Sequence, residues 1–498
     1  ELQLHRYRKE VDYHMVKKQR QKVVIIGGGI TGLTTAYYLL QEIKKHSLPI
    51  DITLLEENAR LGGKIQTTIK NGFVIENGPD CFLERKSSAS RLAKEVGLEN
   101  ELVNNTAGKS YVLAREKLYP MPGGSIMGIP TEIAPFITTG LFTSIGKMRA
   151  AADFILPKSK EKQDQPLGAF FRRRLGNEVV ENLIEPLLSG IYAGDIDQMS
   201  LMSTFPQFYE VEQKYGSLVI GMKKATPRKP KSTKNKKRNK GMFLTLKTGL
   251  QSLIERLEDE LDDVTIKKNT GVRSLSKNRE QYTLTLNTGE IMTADAVIVT
   301  VPHQAATTIL SNFSFITPFK DVPSTSVATV AMAFDQSAIK EDINGTGFVI
   351  SRKSSYTMTA CTWNHKKWPH STPEGKALLR CYVGRPSDPT IVDLSDEAIE
   401  NIVLNDLNKT MSITEKPEFT IITRWKKAMP QYTVGHKERI EQLKQDLQNH
   451  LPGVIFAGAS YEGLGIPDCI DQGEAAVAKV MDYLHVNTSE PNIIKQAN

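Results

Sequence analysis

Cysteine is scarce. The 498 residues hold four (Cys81, Cys361, Cys381 and Cys469), with no C-x-x-C pair among them. That excludes a disulfide-built scaffold and a cysteine-ligated metal cluster, and points to a reducing compartment. No window offers a clean run of ~20 apolar residues, so a membrane-spanning helix is not expected. The nearest approach, Ile126–Gly146, is interrupted by Pro130, Glu132 and Pro135. It reads either as helices buried at a domain surface or as an apolar face that touches a membrane or an apolar partner. No internal repeat is present. His303, His365, His370 and His436 lack ligand-like spacing and read as structural or surface residues, so no metal site is expected, nor a catalytic triad. An excess of acid is also missing. The formal charge is +8, yet Lys223–Lys240 alone carries ten Lys/Arg and no acid, and the rest of the chain sums to −2. The basic character belongs to one patch. Its low-complexity Lys/Pro/Asn/Thr composition reads as a solvated loop or as an electrostatic patch for an anionic substrate, lipid or nucleic acid. The run lacks interleaved aromatics, which weakens the nucleic-acid reading.

What is present is ordinary globular material: 40% hydrophobic and 24% charged residues, with a length that suggests about three domain-sized units. Residues 1–14 read as leader or appended sequence before a native start at Met15. Residues 22–58 read strand, glycine turn, helix, strand, which is one βαβ unit. Residues 84–220 are helix-rich by pattern and break that alternation. From 243 the α/β pattern returns, with a helix over Thr248–Glu260 and strands at Val264–Lys267, Tyr282–Leu286 and Asp295–Pro302. Strand-like runs at Val327–Phe334, Phe348–Ser351, Ala377–Val383 and Phe419–Trp425 predict an antiparallel sheet. A strand over Gly453–Gly458 and a helix over Gly473–Leu484 close the chain. The first and last α/β pieces are therefore expected to form one discontinuous domain (15–85, 241–305 and 435–490). A helical unit (86–222), the basic loop (223–240) and a sheet domain (306–434) are inserted in it.

Gly27-Gly28-Gly29-Ile30-Thr31-Gly32 fits G-x-G-x-x-G, follows a buried strand and opens a helix. That context gives the motif its meaning. Gly27 permits the tight turn, Gly29 lets a pyrophosphate approach, and Gly32 allows close helix–strand packing. The helix N-terminus then offers free N–H groups to phosphate. Glu56, at the end of the second strand, suits a ribose diol and disfavours a 2′-phosphate. A structural glycine turn with a capping acid is the alternative. The run Arg60-Leu61-Gly62-Gly63-Lys64 resembles the second half of the long FAD fingerprint of the flavin amine oxidase superfamily, a loop that a plain NAD dehydrogenase does not need. Near the C-terminus, Gly463 and Gly465 precede a helix. There, exposed N–H groups would stabilise the electron-rich edge of an isoalloxazine. Positions 459–461 offer no cysteine, so a covalent flavin is not expected.

These motifs, together with Glu76–Lys86 (ENGPDCFLERK), Glu185–Asp195 (EPLLSGIYAGD), Arg424–Tyr432 (RWKKAMPQY) and Gly458–Gly473, closely resemble the protoporphyrinogen/coproporphyrinogen oxidase family. The likeness is to its soluble Firmicute-type branch, and it covers essentially all of 20–485. It implies an α/β plus α+β fold: a discontinuous Rossmann-like FAD-binding domain of glutathione-reductase type, an antiparallel-sheet substrate domain, and an α-helical inserted domain of the membrane-associating type. It implies six-electron oxidation of a porphyrinogen, with hydride passing from a meso carbon to flavin N5, non-covalent FAD as carrier, and three O2 reduced to three H2O2. The coproporphyrinogen III route is the one this branch implies. Protoporphyrinogen IX is the alternative substrate.

The resemblance also distributes roles. Gly27, Gly28, Gly29, Ile30, Thr31 and Gly32 hold the pyrophosphate, Glu56 and Glu57 face ribose and adenine, and Val272 meets adenine through its backbone. Arg60 and Gly63 belong to the second cofactor loop. Lys64, Gly78, Pro79, Asp80, Cys81 and Trp425 lie on the flavin side, and Leu464, Gly465 and Ile466 meet the pyrimidine edge. Lys86 is the propionate partner, with Ile191 and Tyr192 as walls for the macrocycle. Other branches carry an Arg in the Gly-Pro-x loop; this chain has Asp80 there. The implied setting is the cytoplasm, with peripheral membrane contact and a product-receiving ferrochelatase as partners and no nucleic acid. An amine oxidase or carotenoid desaturase shares the FAD motifs. A non-catalytic anion- or nucleic-acid-binding protein built on the basic run does not account for them.

Overall fold

A computed structural model describes residues 20–160, 163–225, 240–341 and 343–484. Residues 1–14 and most of Lys223–Lys240 lie outside them. Two compact units result, where three were expected. One holds the described residues up to Gly63 with Leu253–Lys320 and those from Leu443 onward; the other holds Lys64–Ser252 and Asp321–Gln442.

The first unit is built on a five-stranded parallel sheet. In chain order its strands are Gln21–Ile26, Ile50–Leu55, Thr265–Lys267, Ala296–Val299 and Val454–Phe456. In space the order is third, second, first, fourth, fifth. Val23 faces Ile52 on one side and Ala296 on the other. Its β-branched residues are buried on both faces, as a parallel sheet between helices requires. The strand order reverses beside Gln21–Ile26, so a crevice opens at the carboxyl ends of that strand and of Ala296–Val299, where doubly wound sheets take ligands. An antiparallel meander (Val272–Asn278, Gln281–Leu286, Ile291–Ala294) joins the third strand to the fourth. The helices Ile30–His46 and Ile466–Tyr483 pack together where Gly473 lies against Thr31 and Thr35. The second begins seven residues before the expected Gly473, because Pro467 fits its first turn and Asp468 caps it.

The second unit contains a seven-stranded sheet in the order Phe419–Pro430, Ser324–Asp335, Lys376–Val383, Met358–Trp363, Gly347–Ile350, Ser110–Ala114, Lys117–Pro120. All neighbours are antiparallel except Gly347–Ile350 with Ser110–Ala114. The last two strands fall within 86–222, the stretch read as a helix-rich unit. Their alternating short runs, Ser-Tyr-Val-Leu-Ala and Lys-Leu-Tyr-Pro, complete the edge of the sheet and merge the two expected insertions into one body. Helix Asp396–Met411 buries Ile399, Val403 and Leu407 in the core that holds Val330, Trp363 and Leu379.

The helical part of this unit includes Leu167–Leu175, Glu185–Tyr192, Pro206–Tyr215 and Leu218–Ala225. Arg174 is fully buried within it. Its Nε donates to Asp153 Oδ1 at 2.6 Å, and its Nη2 donates to the carbonyls of Asp153 and Gly216 at 2.7 Å each. Its Nη1 lies 3.4 Å from Glu212 Oε1, and both carboxylate side chains are also fully buried. The apolar run near Ile126–Gly146 is only partly covered. Ile133, Ile137, Ile145 and Met148 are exposed, as are Phe154 and Ile155 just beyond it. Among the described residues no helix is long and apolar enough to cross a membrane.

Candidate functional site

In the first unit, strand Gln21–Ile26 runs into Gly27 at φ +107°, a value open to glycine. A Cβ on Gly32 would lie 1.9 Å from the Gly27 carbonyl oxygen, whereas a Cβ on Gly29 would meet nothing within 4 Å. The first and last glycines are thus required by the turn, and open space faces Gly29. Helix Ile30–His46 starts there with no side-chain cap and no acid in its first turn. An uncapped helix start facing open space fits a pyrophosphate. The second loop lies against this turn: Gly62 N–H donates to Gly28 O at 2.8 Å, and Gly63 lies beside Gly29. Arg60 folds back, donating to the carbonyls of Leu61 and Gly63, and so braces its own loop. Burial holds its guanidinium below the ordinary value, opposed by Glu56.

Glu56 is buried. Its Oε2 accepts the Gly28 N–H at 2.8 Å, and its Oε1 accepts the Asn58 N–H and side-chain amide at 2.8 and 2.7 Å. About one lone pair of the carboxylate is left for a ribose hydroxyl. Glu57 is exposed beside Gly271, next to Val272 at the start of the meander. At the other end of the unit, the Gly465 N–H is not free as expected. It donates to Asp468 Oδ2 at 3.2 Å, because an acid at the third helical position can reach back to the N-cap N–H.

The residues expected on the flavin side, from Lys64 to Trp425, converge within the second unit. A Cβ on Gly78 would lie 1.8 Å from the Lys64 carbonyl oxygen and 3.5 Å from Trp425 Cζ2. The Trp425 indole N–H donates to Asn77 O at 2.8 Å, and the Lys64 ammonium donates to Ala428 O. Asp80 forms a partly buried ionic cluster that the sequence did not reveal. Its Oδ2 accepts Lys367 Nζ at 2.9 Å and Trp368 Nε1 at 3.3 Å. Its Oδ1 accepts the Cys81 thiol at 3.2 Å and has Arg380 Nη1 at 3.9 Å. Arg380 also donates to the Gly78 carbonyl and, at 2.6 Å, to the Tyr382 hydroxyl. Burial alone would raise the Asp80 carboxyl, but Lys367 and Arg380 override it and hold it well below the usual range. Burial and the neighbouring Asp80 charge push the Cys81 thiol up, which disfavours the thiolate.

Lys86 is half-buried at the N-cap of helix Ser87–Glu95. Ile191 is exposed, but Tyr192 is buried, its ring 6.0 Å from Phe205 and 5.7 Å from Tyr432. Core packing thus accounts for Tyr192. A hollow of about 450 Å³ lined by residues such as Gln336, His365, Glu374 and Lys376 holds no residue of the expected site. No group of His, Cys, Asp and Glu among the described residues is arranged to hold a metal.

Glu76 adds a titrating group behind Gly78. It accepts the Leu250 N–H at 2.7 Å and the Thr67 hydroxyl at 2.9 Å, and burial pushes its carboxyl up to about 7. An unfolded Glu titrates near about 4.3. Between these values the folded chain holds a proton that the unfolded chain has released. The stabilisation is complete below the lower value and is lost as pH rises through about 7. Relative to Glu76→Gln, the wild type is therefore expected to lose up to roughly 3 kcal/mol of unfolding free energy from about pH 5 to about pH 8. Parallel urea-unfolding curves for the two proteins across that range would refute this.

The crevice at the strand-order reversal, the two glycine loops and the buried carboxylate between them define a dinucleotide-binding oxidoreductase fold. The chain belongs to the flavin containing amine oxidoreductase family, whose pattern matches residues 30–481, and its cofactor is FAD. It is 57% identical over 465 residues to the coproporphyrinogen III oxidase of Bacillus subtilis, covering 93% of this chain and 99% of that one. It is 47% identical over 473 residues to the coproporphyrinogen III oxidase of Staphylococcus aureus, covering 93% and 100%. Among solved structures, a chain from Exiguobacterium sp. assigned as a protoporphyrinogen oxidase superposes with a TM-score of 0.83 at 40% identity, covering 93% and 99%.

Proposed function

We propose that this chain oxidises coproporphyrinogen III to coproporphyrin III with FAD and O2, in the cytoplasm, on the route to heme. The observation that carries the reading is 57% identity to a coproporphyrinogen III oxidase along nearly the whole of both chains. The overall change is coproporphyrinogen III + 3 O2 → coproporphyrin III + 3 H2O2. When bound, FAD supplies the electron transfer, two electrons at a time from macrocycle to O2.

The chain's part is to bind and orient. Gly27–Gly32 and the Arg60–Gly63 loop would hold the pyrophosphate, Glu56 and Glu57 the ribose and adenine end with Val272, and Leu464–Ile466 the pyrimidine edge. Lys64, Gly78–Cys81 and Trp425 would border the ring. Lys86 would pair a propionate and Ile191 flank the macrocycle. Protoporphyrinogen IX, with two propionates instead of four, is the second reading, favoured by the Exiguobacterium likeness. Peripheral membrane contact and delivery to a ferrochelatase stay with this proposal; the exposed Ile133, Ile137, Ile145 and Met148 support the former.

The test is porphyrin fluorescence under air with FAD-loaded protein and each porphyrinogen in turn. Faster coproporphyrin formation, with three H2O2 per product, is expected. Faster protoporphyrin formation would move the chain to the second reading, and no enzyme-dependent formation from either would end the proposal. The same preparation spun with anionic vesicles reports on the membrane part.

A further inference from the structure

The partly buried cluster behind Gly78–Cys81 holds more cations than closely paired anions. Two cations, Lys367 and Arg380, share one ionised carboxylate, Asp80. Glu76, the next acid, spends its two oxygens on the Leu250 N–H and the Thr67 hydroxyl and makes no hydrogen bond to either cation. Lys367 is well provided for: its ammonium contacts Asp80 at 2.9 Å and lies 5.5 and 5.4 Å from the ring centroids of Phe243 and Trp368. Arg380 is not. Its side chain is 2% exposed. It reaches Asp80 only at 3.9 Å, spends its other contacts on a neutral carbonyl and a neutral hydroxyl, and leaves its Nε without an acceptor. A buried cation without a matched anion is costly to the fold. Such an arrangement is explained when negative charge develops close by during function.

We infer that Arg380 is a positioning residue for the redox reaction: it fixes the Gly78 carbonyl and places positive charge, only loosely matched by Asp80, behind the loop that borders the flavin, favouring the reduced cofactor. The inference rests on the cofactor placement of the proposed function. The cation comes from strand Lys376–Val383, and Asp80 attenuates it. Charge near the ring is one of the levers by which a protein tunes such a cofactor. Removing Arg380 withdraws stabilisation from the reduced form, and removing Asp80 adds it.

The experiment compares full-length, FAD-loaded wild type, Arg380→Met, Arg380→Lys and Asp80→Asn, with the two-electron reduction potential read against a reference dye. Arg380→Met is expected to be more negative than wild type, Asp80→Asn more positive, and Arg380→Lys close to wild type. Anaerobic reduction of Arg380→Met by coproporphyrinogen III is expected to slow on the order of tenfold. Lower thermal stability with one potential across the series overturns the inference, leaving Arg380 a structural residue. If Arg380→Met does not fold, Asp80→Asn decides, and a potential equal to wild type overturns it. A wild type that holds FAD but oxidises neither porphyrinogen ends the proposed function instead, and the dye measurement still reads the effect of charge.

Discussion

Gly32→Ala is expected to abolish FAD retention and to lower the melting temperature of the FAD-free protein as well, whereas Gly29→Ala is expected to weaken FAD binding alone. Both positions belong to one fingerprint, but they differ in what surrounds them. A methyl group on Gly32 would lie 1.9 Å from the Gly27 carbonyl oxygen and 2.9 Å from Thr300 Oγ1. The first neighbour is backbone, held in place because Thr300 donates to the carbonyls of Ile26 and Gly27. The helix start must therefore move away from the sheet, at a cost of about 3 kcal/mol or more. A methyl group on Gly29 meets nothing within 4 Å, and Gly29 has φ −72°, which any residue adopts. Only a ligand drawn close to Gly29 would feel that methyl. Melting curves with and without FAD, beside FAD titrations, separate the two variants. An FAD-free Gly32→Ala that melts with the wild type would remove the packing argument. A Gly29→Ala that binds FAD as the wild type does would remove the pyrophosphate from this turn.

Arg174→Met is expected to destabilise the second unit by about 3–5 kcal/mol. The guanidinium ties helix Leu167–Leu175 to the carbonyls of Asp153 and Gly216 and to the Asp153 carboxylate. Asp153 also accepts the Ser217 hydroxyl and the Val219 N–H. Methionine fills similar volume but abandons a buried carboxylate, and the uncompensated charge makes the loss large. Adding Asp153→Asn should recover part of it by removing that charge. A surface pair such as Lys44 with Asp263, 2.9 Å apart with both side chains more than half exposed, should leave the unfolding midpoint unmoved when broken. Urea midpoints for the four proteins check the set, and an Arg174→Met midpoint equal to wild type would refute the argument.

The legible parts of this molecule are local. Val23–Ile26, the three spaced glycines and Glu56 announce themselves within about 30 residues, because a buried parallel strand, a tight turn and a helix start each constrain adjacent positions. The bonds that complete the site do not lie close together in sequence. Lys367 meets Asp80 across 287 positions, and Arg380 meets Gly78 across 302. No spacing rule reports such pairs. One signal was available: Arg380 interrupts the apolar run Ala377-Leu378-Leu379-Arg380-Cys381-Tyr382-Val383, and a charge inside a buried strand demands a partner. Asp468, three residues after Gly465, likewise carried the spacing that lets an acid reach back to an N-cap N–H. The strands at Ser110–Ala114 and Lys117–Pro120 escaped because five- and four-residue runs hold too few periods to outweigh the helical segments that follow.

The strand order of the first unit also sets a timetable for biosynthesis. Val23 and Ala296 are neighbours in the sheet, yet the ribosome must add more than 270 residues between them, roughly 15–55 s of translation. The glycine turn emerges first and waits, its strand still lacking the inner neighbour whose Thr300 fixes the turn. Strand Val454–Phe456, which closes the sheet, arrives near the end of the described chain. The parallel sheet of the first unit is thus complete only once Val454–Phe456 has been made, and cofactor capture waits for that strand. Chaperone demand should follow from that delay, since the nascent edge of strand Gln21–Ile26 stays unpaired for most of it.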